Sequence, residues 1–148
     1  MSADNKAIVR RLYEEVWNKR KLEVINEIIS PSHGLQAPNI SGSSIGPAAY
    51  RRNVSLFLAG YPDLRLTIQD IIGEKDKVVA CWTISGTHRG DYLGIPATNK
   101  KVSVDGMTIH HIAGGKIMDS YSNWDALGMM QQLGVVPALG QKKSLAAR

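Results

Sequence analysis

The residue best suited to proton transfer is Asp125, which follows Trp124 at the end of a predicted strand. A carboxylate beside an indole ring at the mouth of an apolar pocket is partly desolvated, so its pKa rises towards the range useful for acid/base chemistry. Asp is also a favoured N-cap, and a helix is predicted to begin at Ala126. The sequence therefore supports two compatible roles for Asp125, a helix cap and an acid/base group.

Two adjacent histidines, His110 and His111, lie on a predicted strand. Neighbouring strand residues point to opposite faces, so these imidazoles cannot bind one metal ion together. His111 shares its face with Met107, and His110 shares its face with Val104. This alternation leaves open which histidine faces a pocket and which faces solvent or the helices.

The other two histidines, His33 and His88, border the mouth of the expected pocket. Their spacing relative to Asp91 matches no known ligand motif, so no metal site is predicted. Nucleophilic catalysis has no support either, because Cys81 lies in mid-strand and the Gly-x-Ser-x-Gly motif is absent.

Three tryptophans, Trp17, Trp82 and Trp124, could stack on a flat aromatic ligand. Buried aromatic side chains also serve simply as core, and their positions do not separate the two interpretations.

The elements that must position these residues follow from the spacing of apolar side chains. A 3–4 residue period predicts helices within the first 30 residues, interrupted near Asn18-Lys19-Arg20 and ended by Ser30-Pro31, and again from Pro47 to Gly60. Residues 33–40 are expected to form a loop with a short piece of strand. Alternation then predicts four strands and a last helix: Leu64 to Ile72, Val78 to His88, Val102 to Ile112, Lys116 to Asn123, and Ala126 to Leu133.

Helices followed by a meander of long strands predict an α+β fold, with the helices packed on one face of a mostly antiparallel sheet. A bent sheet of this kind encloses a cone, which is a natural pocket for a small molecule. With 148 residues and 43% hydrophobic content, we expect one domain over residues 1–137 and a basic, flexible tail over 138–148.

Charge and composition exclude several classes of function. The net charge of +5 arises from scattered basic residues, three of them in the last eight positions, which argues against nucleic-acid binding. No apolar run approaches the roughly 20 residues of a membrane helix, and no signal peptide is evident. A single cysteine fits a reducing compartment, so a cytoplasmic location with no membrane partner is expected.

Several segments resemble the SnoaL-like polyketide cyclase (ester cyclase) family of the nuclear transport factor 2-like superfamily. They cover roughly residues 6 to 137 and are Tyr61-Pro62-Asp63-Leu64, Gly86 to Pro96, Gly106-Met107 with Ile109-His110-His111, Gly114-Gly115-Lys116-Ile117, Trp124-Asp125 and Gln131 to Gly134. The resemblance implies a cone-shaped, strongly bent sheet with the N-terminal helices on its concave face, a cystatin-like α+β barrel.

The resemblance also implies an activity, an intramolecular aldol condensation of an aromatic polyketide ester without metal or organic cofactor. The family's acid/base carboxylate falls on Asp125, and the histidine that assists at the carbonyl oxygen, fourteen residues earlier, falls on His111. The family's pocket-lining polar residues fall on Tyr13 and Asn53. With these we assign His33, Trp82, His88, Met107 and Trp124 to the binding of a small hydrophobic or aromatic molecule.

Other functions remain open on the same fold. A ketosteroid-isomerase-like enzyme needs an acidic base near the first strand, yet residues 31–62 contain no Asp or Glu. An epoxide-hydrolase-like relay could use Arg89 and Asp91, although both lie in a predicted loop. A non-catalytic ligand-binding or dimerisation domain would share every feature described.

The second strand of the expected sheet has an uncharged outer face, made of Val79, Cys81, Thr83, Ser85 and Thr87. A sheet face open to water usually carries more charge. Together with the family resemblance, this face predicts a homodimer or a higher homo-oligomer.

Overall fold

The chain folds into helices packed on one side of a single sheet, as the order of periods predicts. The computed structural model describes residues 2–37, 44–137 and 140. In chain order its elements are α1 (Ser2–Arg11), a π-helix (Leu12–Asn18), a 3₁₀ turn (Leu22–Val24), α2 (Ile25–Ile28), β1 (Ile29–Gln36), α3 (Gly46–Gly60), β2 (Arg65–Glu74), β3 (Lys77–Thr87), β4 (Lys101–Ala113), β5 (Lys116–Trp124) and α4 (Ala126–Leu133). The predicted tail, 138–148, lies outside the described residues apart from residue 140.

The five strands lie in the order β1-β5-β4-β3-β2. The β2–β3, β3–β4 and β4–β5 pairs are antiparallel, which confirms the mostly antiparallel sheet, whereas β1 runs parallel to β5. In the described part of the chain the sheet is open, with β1 and β2 as its edges, and does not close into a barrel.

The largest difference from the sequence-based expectation is β1. Residues 33–36 were expected to be mostly loop, but they continue an eight-residue strand from Ile29. Its partner β5 lies more than 80 residues further on, with Leu35 opposite Ser120. Parallel pairing of this kind comes from tertiary contacts and leaves no clear mark in a short polar segment.

The first helix changes its hydrogen-bonding pattern at Leu12, where a π-helix begins and runs to Asn18. Lys19 continues it, since its N–H donates to the Glu14 carbonyl five residues back, at 2.9 Å. The π-helix buries both Tyr13 and Trp17 against the sheet. π-Helical segments are rare and are frequent at functional sites.

On the inner face of the sheet, residues of neighbouring strands form directly opposed cross-strand pairs. His110 faces Ser120, Thr108 faces Ser122, and Gly106 faces Trp124 across β4 and β5. Gly106 is also opposite Trp82 of β3, and a Cβ there would meet the Trp82 ring at 2.4 Å. Glycine at 106 therefore makes room for the indole rings of both its cross-strand partners.

The outer face of the sheet exposes apolar side chains in a second row. Ile72, Val79, Ile109 and Tyr121 lie opposite one another across β2 to β5, and Met107 is adjacent. Ile72, Met107, Ile109 and Tyr121 are each at least 43% exposed. Thr87, predicted to share this face, is instead buried, and its hydroxyl donates to the Asp63 carboxylate at 2.8 Å.

None of the helices in the described residues combines the length and apolar character needed to cross a membrane.

Candidate functional site

A cavity of about 130 Å³ lies between the concave face of the sheet and the helices that cover it. Aromatic rings supply a large part of its wall, among them Trp17 and Phe57 on the helices and Trp82 and Trp124 on the sheet. Leu56 and Leu93, which also line it, are 39% and 60% exposed and mark its mouth. A dry apolar cavity of about 150 Å³ holds one benzene ring. The space therefore accepts one ring of a ligand, with the remainder extending through the mouth.

One polar group in the wall is a chain of three donors on the sheet. The Trp82 indole N–H donates to Thr108 Oγ1 at 2.9 Å, and Thr108 Oγ1 lies 2.8 Å from Ser122 Oγ. The three groups carry three hydrogens, and the two contacts use two of them. One hydroxyl hydrogen of Thr108 or Ser122 is left, and its acceptor can be the Tyr13 hydroxyl oxygen or a ligand oxygen.

A second spare hydrogen belongs to Tyr50 of α3. The Trp17 indole N–H, which can only donate, donates to the Tyr50 hydroxyl oxygen at 3.0 Å. Tyr50 is only 6% exposed, and the described residues offer its own hydrogen no acceptor. Because Tyr50 lines the cavity, a ligand oxygen is the natural partner.

The third polar group is a relay of four side chains that runs from the edge strand β1 into the cavity. Tyr13 Oη lies 3.1 Å from His110 Nε2, His110 Nδ1 lies 2.8 Å from Ser120 Oγ, and His33 Nε2 lies 3.0 Å from that same oxygen. Ser120 has one hydrogen and can donate in only one of its two contacts, so at least one histidine donates to it.

Burial keeps these groups neutral at physiological pH. Desolvation lowers the pKa of His110 to about 3, helped by the nearby His33, and lowers the pKa of His33 to about 4, opposed by the Asp119 carboxylate. Desolvation raises the pKa of Tyr13 and of Tyr50 well above the ordinary range. Among the described residues no carboxylate lines the cavity. The site is thus neutral, aromatic and rich in hydrogen-bond donors.

The sequence model of the SnoaL-like polyketide cyclases matches residues 7–133, most of the chain. The chain belongs to the SnoaL-like polyketide cyclase family. No match to this SnoaL-like protein is found among curated proteins.

Solved structures share the fold over nearly the whole length. A candidate SnoaL-like polyketide cyclase from Jannaschia sp. CCS1 superimposes with a TM-score of 0.83 at 22% identity, covering 92% of this chain and 95% of that one. A candidate polyketide cyclase from Acidithiobacillus ferrooxidans has a TM-score of 0.81 at 27% identity, covering 91% and 97%. TsrD from Streptomyces laurentii has a TM-score of 0.80 at 27% identity, covering 90% and 97%.

Four of the residues predicted from the sequence to touch a ligand line the cavity of this SnoaL-like protein. They are Tyr13, Asn53, Trp82 and Trp124. They come from the π-helix, α3, β3 and β5, so the fold converges on one space from four elements.

The prediction that Asp125 faces the pocket is wrong. Its side chain is exposed, and its carboxylate accepts the Gly128 N–H at 2.8 Å as the N-cap of α4. A Cβ at Gly128 would meet that carboxylate at 2.1 Å, so glycine permits the close cap. The reason is alternation: Trp124 ends β5 pointing inward, and Asp125 is the first residue outside the strand.

The predicted placement of His111 and Met107 in the pocket is also wrong. Both lie on the outer face of β4, where Met107 is 59% exposed. His111 Nε2 lies 2.8 Å from Asp76 and its Nδ1 lies 3.2 Å from Asp119. The histidine that faces the cavity is His110, which the alternation pattern could not distinguish from His111.

His33 and His88 are both buried but neither lines the cavity. His33 lies one side chain away from it, hydrogen-bonded to Ser120 and packed against the Tyr50 ring. His88 Nδ1 accepts the Thr98 N–H at 3.2 Å, and its ring packs 5.4 Å from that of Tyr61. His88 therefore holds the β3–β4 loop, and its Nε2 has no hydrogen-bond partner among the described residues. Arg89 and Asp91 of the epoxide-hydrolase alternative lie in that loop and not in the cavity wall.

The polar wall was not predicted from the sequence; it is made by Tyr50, Thr108, His110, Ser120 and Ser122. A usable signal was present in β5, where alternation puts Ser120 and Ser122 on the face of Trp124. Placing Trp124 inside the pocket would have brought both serines with it.

Proposed function

We propose that this SnoaL-like protein is a small-molecule enzyme that catalyses an aldol-type cyclisation of a neutral, carbonyl-bearing aromatic compound. The observation that carries the proposal is the surplus of O–H donors in an aromatic cavity without carboxylates among the described residues. Such a wall is complementary to carbonyl oxygens and unfavourable for a charged ligand, whose desolvation would go uncompensated.

The donors have a direct chemical use in this reaction. When an activated methylene loses a proton, or when a carbonyl is attacked, negative charge develops on oxygen. Fixed donors in a water-poor site stabilise that charge, and each contributes about 10²–10³ in rate in well-studied enzymes. The spare hydrogens of Tyr50 and of the Thr108–Ser122 pair are the groups proposed for this task.

The structural neighbours agree with this class of reaction. Two structures over nearly the whole chain are described as candidate polyketide cyclases. The cavity, which holds one ring, adds that a larger polyketide would place only its reacting end inside and leave the rest at the Leu56–Leu93 mouth.

Binding tests the donor assignment with a matched pair of probes, acetophenone and ethylbenzene. They share one ring and a similar size, but only acetophenone has a carbonyl. Two hydrogen bonds of about 0.5–1.5 kcal/mol each should make acetophenone bind roughly 5–160-fold tighter. Equal dissociation constants for the two probes would refute the proposal.

Turnover tests the reaction. Incubation with aromatic esters that carry an activated methylene should give a ring-closed isomer, or its dehydrated product, in mass-resolved chromatography.

One observation favours a second candidate, a non-catalytic binding domain: no carboxylate lines the cavity among the described residues. Tight, carbonyl-selective binding without any product across the series would support that candidate instead.

A further inference from the structure

We propose that His33, which does not touch the cavity, is the terminal proton acceptor of the reaction and receives the substrate proton through Tyr13, His110 and Ser120. The inference rests on the proposed function and names the base that the cavity itself lacks. His33 is a positioning and proton-holding residue. Tyr13, His110 and Ser120 all line the cavity, and Tyr13 is the one assigned to take the substrate proton.

The geometry of the relay allows a continuous transfer. Its three contacts are 3.1 Å between Tyr13 and His110, 2.8 Å between His110 and Ser120, and 3.0 Å between Ser120 and His33. All three lie within hydrogen-bond reach, and each joins an atom that can donate to an atom that can accept. Tyr13, His110, Ser120 and His33 are each at most 4% exposed, so water does not compete for these contacts.

The step balances as follows. A substrate C–H bond breaks, its electron pair stays on the substrate as an enolate, and the proton goes to Tyr13 Oη. Tyr13 gives its own hydrogen to His110 Nε2, the Nδ1 hydrogen of His110 passes to Ser120 Oγ, and the Ser120 hydrogen passes to His33 Nε2. His33, which starts neutral with its hydrogen on Nδ1, ends as an imidazolium. Ring closure returns a proton to the new alkoxide by the reverse path.

His33 is better placed than His110 to hold the positive charge. Asp119 follows Ile117 and Met118 on β5 and is the register partner of Gly34, next to His33. Its carboxylate attracts a protonated His33, whereas the charged group that acts on His110 is His33 itself, which repels. Tyr50, whose ring packs edge-on 5.6 Å from His33, and Ser120 are neutral.

The basicity fits the task. The pKa of His33, lowered to about 4 by burial, equals that of an ordinary carboxylate. The relay would therefore supply the proton affinity of a carboxylate from behind a wall that contains none among the described residues.

Deuterium incorporation into the methyl group of acetophenone in D₂O, followed by NMR, tests the relay without the natural substrate. Wild-type protein should accelerate the exchange. His33→Gln, which can still accept the Ser120 hydrogen but cannot hold a proton at neutral pH, should lose at least tenfold in exchange rate at saturating acetophenone. Ser120→Ala should lower the exchange rate by the same factor. The double variant should lower it no further, because both substitutions interrupt the same relay.

The control is Ser85→Ala, which removes a hydroxyl from the outer face of β3. It should keep the wild-type exchange rate. The dissociation constant of acetophenone, measured on every variant, separates the two proposals. Loss of exchange with unchanged binding supports the relay. Binding by the wild type without accelerated exchange, or full exchange in His33→Gln, overturns the relay and leaves the carbonyl-binding proposal intact. Absence of acetophenone binding overturns both.

Discussion

Lowering the pH from 8 to 5 should destabilise this protein steeply, because two histidines are buried in neutral form. His33 and His110 are 1% and 2% exposed, and burial lowers the pKa of His33 to about 4 and of His110 to about 3, from about 6.5 for an ordinary histidine. Below pH 6.5 the unfolded chain binds protons at both positions while the native protein does not. Stability is therefore complete above pH 6.5 and falls as the pH decreases towards 4.

The loss of unfolding free energy at pH 5 is set mainly by proton binding to the unfolded chain, because the native pKa values of both histidines lie below 5. Each histidine costs about 2 kcal/mol at pH 5, so the pair costs about 4 kcal/mol relative to pH 8. Near pH 5.5 the slope should be about 2.5 kcal/mol per pH unit. This is a large fraction of the 5–15 kcal/mol typical of a domain.

Urea unfolding followed by tryptophan fluorescence at half-unit pH steps measures this slope. His33→Gln and His110→Gln should each halve it, to about 1.2 kcal/mol per pH unit, whatever they do to stability at pH 8. Background titration of other groups contributes equally to all three proteins, so it cancels when each variant's slope is subtracted from the wild-type slope. A flat profile between pH 7 and 5, or a slope that neither substitution changes, would refute the argument that the relay is buried and neutral.

Three further predictions concern residues around the site. Asp125→Asn should have the wild-type rate of acetophenone exchange and the wild-type stability, since Asn caps helices as well as Asp. Asp125→Ala should lower the free energy of unfolding by about 1 kcal/mol. Loss of exchange in Asp125→Asn would restore a catalytic role for this carboxylate. Gly106→Ala should abolish acetophenone binding in calorimetry, because the new Cβ would lie 2.4 Å from the Trp82 ring, and unaltered affinity would show that the ring can move without filling the cavity. We also propose a homodimer through the outer sheet face, so Ile109→Lys should give a monomer in analytical ultracentrifugation, and a monomeric wild type would contradict this.

The sequence was sufficient for the architecture because the apolar periods are strong in the long elements. The helix at Gly46–Gly60 and the strands β2 to β5 follow from patterns that repeat over many residues. The helix cap at Asp125 and the glycine stop at Gly134 are local as well, so they were predictable from neighbouring residues. The edge strand β1 was not predictable, because its partner strand is distant in sequence and its segment is short and polar, without a clear apolar alternation.

The candidate site divides in the same way. Local sequence established that His110 and His111 face opposite sides, and that Trp124, Ser122 and Ser120 share one. It could not establish which side is inside, because alternation is symmetric with respect to the two faces of a sheet. The helices decide that question by covering one face, where the π-helix brings Tyr13 to His110 and α3 brings Tyr50 to Trp17.

The sequence by itself determined the family, the long helices and strands, and the residue pairs among which the site had to be chosen. Only the tertiary structure decided that His110 and not His111 is buried, that Asp125 caps a helix in solvent, and that His33 stands behind Ser120. The physical reason is that burial and hydrogen-bond partnership are properties of packed surfaces, and these surfaces form only when strands more than 80 residues apart come together.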